Sequence, residues 1–89
     1  FEQAMKAADE KGWRLPMDEE YLEKLQSNSA DFKNGPMTFG GEASGAACLL
    51  NEFVEDGIKW IHLDIAATAK TPDGATGAMI RSIVELLKP

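Results

Sequence analysis

The sequence predicts an α/β fold with about four helices and one clear strand, in a segment that belongs to a larger domain. Apolar residues recur at helical spacing in four stretches, whereas residues 60–66 alternate between two faces as a strand does. The chain offers no second convincing strand to pair with this one. Because a lone strand leaves backbone groups unpaired on both edges, we expect its partner strands to come from outside the chain.

A first helix and a short extended segment are predicted at the beginning of the chain. Residues 1–8 carry apolar side chains at helical spacing, and Gly12 stands where such a helix would stop. Residues 13–15 are expected to be extended, because a residue that precedes a proline, here Pro16, avoids the helical region.

The second and third helices are predicted on either side of a polar loop. Asp18 is suited to cap a helix whose apolar side reaches Leu25. Residues 27–41 are polar and rich in Asn, Gly and Pro, which predicts a long ordered loop of the kind that often has a function. A third helix is expected to begin near Glu42 or Ala43, with small residues in its first turns that permit close approach to a neighbouring backbone.

The predicted strand has two distinct faces and is followed by a loop and a final helix. Ile61, Leu63 and Ile65 share one face, and the other face is formed by Trp60, His62, Asp64 and Ala66. Residues 67–77 are predicted to be a loop, and the apolar spacing of residues 79–87 predicts an amphipathic helix.

Composition and charge exclude several classes of function. The chain has 89 residues, 44% of them hydrophobic and 27% charged, which is typical of at most one small globular domain. Its net charge of −6 argues against a nucleic-acid partner, because phosphate binding needs a basic face. No apolar stretch approaches the roughly 20 residues that span a bilayer, and no leader is visible, so no membrane partner is expected. The single cysteine fits a reducing compartment.

The residues alone complete no active site. His62 and Asp64 lie on one strand face and could begin a metal site, but zinc needs three or four ligands and the chain has no second histidine. We therefore favour hydrogen bonds from this pair to nearby loops over metal binding. The acidic residues 18–20 fit the positive end of a helix dipole, and Cys48 is expected to be a small buried apolar residue.

Four ordered motifs resemble the carboxy-terminal end of the M17 leucyl aminopeptidase family. Residues 13–16 (W-R-L-P) resemble its W-R-[LM]-P segment, and residues 30–35 (A-D-F-K-N-G) resemble its A-D-x-x-N stretch. Residues 60–66 (W-I-H-L-D-I-A) resemble W-A-H-L-D-I-A, and residues 76–81 resemble the closing T-G-x-x-V-R helix. The order and spacing of the motifs agree along essentially the whole chain.

The resemblance implies that residues 1–89 are the carboxy-terminal portion of an α/β/α catalytic domain whose remainder is a partner of this segment. It implies a metal-dependent enzyme that removes leucine-like N-terminal residues from peptides, with two divalent ions, Zn²⁺ or Mn²⁺, that activate a water and polarise the scissile carbonyl. The family's metal ligands and catalytic residues lie upstream, so none is expected in this chain. A homo-hexamer in the cytoplasm, or in an organelle, is the expected assembly.

The residues that the resemblance assigns to substrate binding form pocket wall. Ala66 would line the subsite for the N-terminal side chain of the substrate, Ala69 would border the same pocket, and Gly35 would lie near the next subsite. The family has glycine where this chain has Ala67, which leaves open whether backbone freedom or a close approach has been lost.

Two other functions are kept open. Ala67 would fit a catalytically inactive, structural subunit of the same family, and the short chain would fit a free-standing binding module. Intact upstream metal ligands would discriminate against the first alternative, and the absence of cooperative unfolding would discriminate against the second.

Overall fold

A computed structural model describes residues 1–33 and 41–89 of the chain. The described residues form four helices: α1 Glu2–Ala7, α2 Glu19–Glu23, α3 Glu42–Asn51 and α4 Ile80–Leu87. They also form two short strands, β1 Lys70–Thr71 and β2 Gly74–Ala75. The four predicted helices and the α/β class are confirmed. The chain divides into two compact units, residues 1–14 with 63–89 and residues 15–62.

In the first unit, α1 packs against α4 and a carboxylate joins them. The chain leaves α1 through a turn in which the Glu10 N–H donates to the Met5 carbonyl at 2.9 Å. The Glu10 carboxylate then accepts hydrogen bonds from the Met79 N–H, the Ser82 N–H and the Ser82 hydroxyl, each at 2.8 Å. Since the first N–H groups of a helix have no partner within the helix, Glu10 caps α4 from a distant part of the sequence.

A small antiparallel hairpin precedes α4. Lys70 pairs with Ala75 and Thr71 with Gly74, so the connecting turn has two residues, Pro72 and Asp73. Gly74 has φ +121°, a conformation that L side chains rarely adopt. The loop prediction for residues 67–77 was wrong over these strands, because two-residue strands with exposed side chains carry no apolar periodicity to detect.

The structure also differs from the prediction of a strand at residues 60–66. Residues 58–65 belong to no helix and to no hydrogen-bonded ladder within the described parts of the chain. A strand is defined by backbone hydrogen bonds to a neighbouring strand. The alternation of side chains shows only which residues would share a face if that pairing formed. Ile61 and Ile65 are accordingly 49% and 37% exposed. The segment has the pattern of a strand without the ladder that would make it one.

In the second unit, α2 packs against α3 through small residues. Leu25 is 2% exposed, and the face of α3 that is buried consists of Ser44, Gly45, Ala47 and Cys48. Gly41, at the start of α3, has φ +69°, and a Cβ built there would lie 2.5 Å from Cε1 of Tyr21. The small residues in the first turns of the third helix thus form its buried face, and Gly41, just before them, lies close to the Tyr21 ring.

Much of the apolar side-chain surface stays exposed. The exposed fraction reaches 87% for Trp13, 76% for Phe53 and 75% for Leu87. Both units therefore leave large apolar side chains accessible. Within the described residues, no helix combines the length and apolar character that crossing a membrane requires.

Candidate substrate-pocket wall

The two described candidates lie close together in the first unit. Ala66 is exposed and begins a turn, and Ala69 is half-buried and directly precedes β1. Both therefore sit between the unpaired segment that ends at residue 65 and the hairpin. Gly35, the third candidate, lies outside the described residues.

The turn that carries Ala66, residues 64–69, is held by local hydrogen bonds. The Ala66 N–H donates to Oδ1 of Asp64 at 3.1 Å. Thr68 donates two hydrogen bonds to the Ile65 carbonyl, one from its N–H at 2.9 Å and one from its hydroxyl at 3.3 Å. Asp and Thr side chains commonly stabilise turns by bonding to nearby backbone in this way. Asp64 is thus a structural acceptor, as the favoured interpretation of the His62 and Asp64 pair predicted.

His62 takes no part in this turn. Its ring stacks on Trp60 with the ring centroids 6.2 Å apart and the planes inclined by 28°. The two side chains share a face, as the alternation predicted. Among the described residues the imidazole contacts neither Asp64 nor a loop through a hydrogen bond, so the expected hydrogen bond to nearby backbone is found for Asp64 and not for His62.

Thr76 connects the 64–69 turn to the start of α4. Its hydroxyl donates to the Thr68 carbonyl at 2.5 Å and accepts from the Ala78 N–H at 3.2 Å. Its own N–H donates to the Ala69 carbonyl at 2.9 Å, which extends the hairpin ladder by one bond. The resemblance had singled out Thr76 as part of a motif without giving it a role.

On the α4 side of Thr76, the carboxylate of Glu10 binds the start of the helix. The pKa of its carboxyl lies below the ordinary value of 4.5, chiefly because the Ser82 hydroxyl donates to it. Partial burial opposes this shift, and the N–H groups of Met79 and Ser82 and the charge of Arg81, 3.7 Å away, reinforce it. The carboxylate is therefore ionised at neutral pH. Sequence reasoning missed Glu10, because its partners lie 69 and 72 residues away and leave no local pattern.

Comparison with known proteins decides the family. The model of the catalytic domain of the cytosol aminopeptidase family (peptidase family M17) matches residues 1–84. The chain belongs to this family. The resemblance drawn from the ordered motifs is thereby confirmed.

Several relatives in the cytosol aminopeptidase family share more than two-fifths of their residues with the chain. A probable cytosol aminopeptidase of Acidobacterium capsulatum is 47% identical over 99% of this chain and 18% of its own length. One from Mycoplasma pneumoniae is 44% identical over 96% of this chain and 19% of its own length. No solved structure matches the chain. The chain spans about a fifth of the length of the curated relatives it matches.

The described part of the chain holds no candidate metal site. Within residues 1–33 and 41–89, no three His, Cys, Asp or Glu side chains are grouped so that they could hold a metal ion. The carboxylates of Glu10 and Asp64 accept hydrogen bonds within the chain, from α4 and from Ala66.

Cys48 is not arranged as a nucleophile. Burial raises the pKa of its thiol above the ordinary value of 9.0, and the negative charges of Asp18 and Glu52 raise it further. The sulfur lies 3.9 Å from the Asp18 carbonyl, where it can donate a weak hydrogen bond. A thiol kept protonated in this way packs as a small apolar residue, as the sequence predicted.

Proposed function

We propose that the chain is the carboxy-terminal portion of the catalytic domain of a metal-dependent aminopeptidase that hydrolyses leucine-like N-terminal residues from peptides. In this proposal the segment contributes pocket wall and core packing, and the metal ligands come from the remainder of the domain. The observation that carries the proposal is the 64–69 turn, which is held by hydrogen bonds on both sides of Ala66 and leaves that residue exposed.

A rigid turn with a small side chain suits the wall of a side-chain pocket. The methyl groups of Ala66 and Ala69 leave room for the substrate, and they offer apolar surface without polar groups that would need partners. Hydrogen bonds that fix the backbone keep the wall from relaxing when the pocket is empty, which is the support that a specificity site needs. Gly35 is proposed to border the next subsite on the family resemblance alone.

The partners of the segment follow from what it leaves uncovered. Large apolar side chains such as Trp13 and Phe53 are proposed to be buried by the rest of the same domain, which would also supply strands to pair with residues 60–66. Two divalent ions, Zn²⁺ or Mn²⁺, would be held by that remainder. A homo-hexameric assembly, a peptide substrate and a cytoplasmic location are further parts of the proposal.

The test uses the full-length protein that contains this segment, loaded with Mn²⁺ or Zn²⁺. We expect it to release leucine from leucyl peptides. Ala66→Leu should reduce kcat/KM for N-terminal leucine relative to N-terminal alanine by about tenfold or more, because added volume in a side-chain pocket rejects the larger residue. Ala75→Leu, on the exposed strand β2, is the matched control and should leave that ratio unchanged.

The possible outcomes separate the parts of the proposal. An active enzyme whose preference responds equally to the variants at positions 66 and 75 would remove Ala66 from the pocket. A protein that binds two metals per subunit and releases no leucine would remove the peptidase function itself.

The alternative is an inactive family member that acts as a structural subunit. Ala67, where the family has glycine, is the feature in its favour. Among the described non-glycine residues, however, positive φ angles occur only at Asp9 and Met79. Ala67 therefore has a backbone conformation open to any L-residue, and its methyl group introduces no backbone strain. This observation favours the enzyme.

A further inference from the structure

Thr76 occupies the junction of three elements in the first unit. It follows β2 directly, its hydroxyl reaches back to the 64–69 turn, and it precedes the turn that opens α4. Two bonds run from it towards the candidate pocket wall, from the N–H to the Ala69 carbonyl and from the hydroxyl to the Thr68 carbonyl. One bond runs the other way, from the Ala78 N–H to the hydroxyl.

The hydroxyl performs two functions at once. A hydroxyl has one donor proton and two acceptor lone pairs, so Thr76 can donate to Thr68 and accept from Ala78 simultaneously. Serine has the same hydroxyl and can form both bonds. Valine has nearly the shape of threonine and can form neither. The pair of substitutions therefore isolates the hydroxyl from the volume of the side chain.

The backbone that follows Thr76 is fixed by hydrogen bonds to Glu10. The residue after Ala78 is Met79, whose N–H donates to Glu10, and Glu10 also binds the Ser82 N–H and hydroxyl. Hydrogen bonds, together with the backbone from Ala78 to Met79, thus connect Glu10 through Thr76 to the carbonyls of Thr68 and Ala69. Residues 64–68 of the turn are exposed, and these bonds tie the turn to the start of α4.

We propose that Thr76 is a positioning residue that determines substrate specificity, because its hydroxyl fixes the turn that presents Ala66 and Ala69 to the substrate. This inference rests on the proposed function of that turn as pocket wall. Thr76 does not touch the substrate. Its loss changes the width of the pocket and leaves the chemistry of bond cleavage intact.

The kinetic test compares Thr76→Val with Thr76→Ser in the full-length protein loaded with Mn²⁺. We expect Thr76→Val to raise KM for leucyl peptides by about three- to tenfold, the range that loss of one or two hydrogen bonds produces, with kcat changed less than KM. The ratio of kcat/KM for N-terminal leucine to that for N-terminal alanine should fall. Thr76→Ser should restore wild-type values. Thr71→Val, which removes a hydroxyl that accepts only from Asp73 at the far end of the hairpin, should match wild type.

A second measurement does not depend on activity. Amide hydrogen exchange at Ala66, Thr68 and Thr76 should speed up about three- to tenfold in Thr76→Val, while Thr76→Ser and Thr71→Val retain wild-type rates. If Thr76→Val does not fold, Thr76→Ala provides the same comparison with less crowding.

These readouts keep two failures apart. A wild-type protein without aminopeptidase activity would overturn the proposed function, while the exchange data would still report whether Thr76 fixes the turn. Unchanged exchange and kinetics in Thr76→Val, or a Thr76→Ser variant as impaired as Thr76→Val, would overturn the role of the hydroxyl in an active enzyme.

Discussion

The two units of the chain join their helices by different means. In residues 1–14 with 63–89, α1 and α4 are linked by a carboxylate that accepts three hydrogen bonds. In residues 15–62, α2 and α3 pack against each other through small residues of α3, and Leu25 is buried in the same unit. The first link is polar and depends on charge, whereas the second is steric and depends on shape.

The difference teaches what each unit would tolerate. A steric contact fails when volume is added or removed, and a fully buried side chain has no water to replace its lost contacts. A charged cap weakens when its carboxylate is protonated. Its contribution to stability therefore depends on pH and not on side-chain volume. We therefore expect changes in side-chain volume to destabilise mainly the second unit and a fall in pH to destabilise mainly the first.

The largest effect is expected from Leu25→Ala in the second unit. Leu25 is 2% exposed, and truncation of a buried leucine costs about 3 kcal/mol through lost transfer energy and a residual cavity. Hydrogen exchange in the full-length protein should show about a hundredfold faster local opening in peptides from residues 15–62. Gln3→Ala, at an exposed polar position of α1 in the first unit, is the control. Equal loss of protection in both units would contradict a steric link confined to the second.

A smaller effect is expected from Gly41→Ala in the same unit. The left-handed φ of +69° costs an L-residue about 1–2 kcal/mol, and the new methyl group would lie 2.5 Å from Cε1 of Tyr21, so the ring must move. Gly57→Ala is a matched control, because Gly57 has φ +82° and no atom within 4 Å of its added Cβ. The loss of protection around the substituted residue is compared between the two variants, and the excess in Gly41→Ala measures the contact with the ring, because both variants carry the cost of a positive φ. If both variants lose the same protection, the approach of Gly41 to Tyr21 contributes nothing.

The sequence predicted those features of the fold that depend on neighbours along the chain. Apolar residues at helical spacing place all four helices, and the small residues after Glu42 form the buried face of α3. Asp64 lies two residues before Ala66, so its hydrogen bond to that N–H was within reach of local reasoning. The family motifs located the candidate turn for the same reason, since each motif is a short run of residues.

Features that depend on distant partners were not predictable in this way. Nothing beside Glu10 indicates that its carboxylate caps a helix some 70 residues later, because a surface Glu has the same local sequence. The strand at 60–66 was expected because alternation reports burial on two faces, whereas a ladder requires a partner. The hairpin around Pro72 and Asp73 had the opposite problem, since its pairing is real but its side chains are exposed.

The smallest effect concerns the charge of Glu10 in the first unit. Its pKa in the folded protein lies below the ordinary value of 4.5, so the charged form stabilises the cap. This contribution is fully present above the unfolded pKa and is lost as the pH falls through the folded pKa, below 4.5. Protection of the Met79 and Ser82 amides, corrected for intrinsic exchange, should therefore decline on acidification below pH 4.5. The decline is gradual, because a protonated carboxyl still accepts hydrogen bonds.

Glu10→Gln separates this charge from the other carboxyl groups that titrate in the same range. The amide keeps an acceptor oxygen but has no charge to lose, so its Ser82 protection should start lower at neutral pH and lose the part of the acid dependence that Glu10 contributes. Ser82→Ala is the companion variant, because it removes the hydroxyl that lowers the pKa most and leaves the carboxylate in place. The acid decline should then move to higher pH, towards the ordinary value. An acid profile that is identical in the wild type and in Glu10→Gln would show that the link between α1 and α4 does not depend on this charge, and the contrast between the polar and the steric unit would disappear.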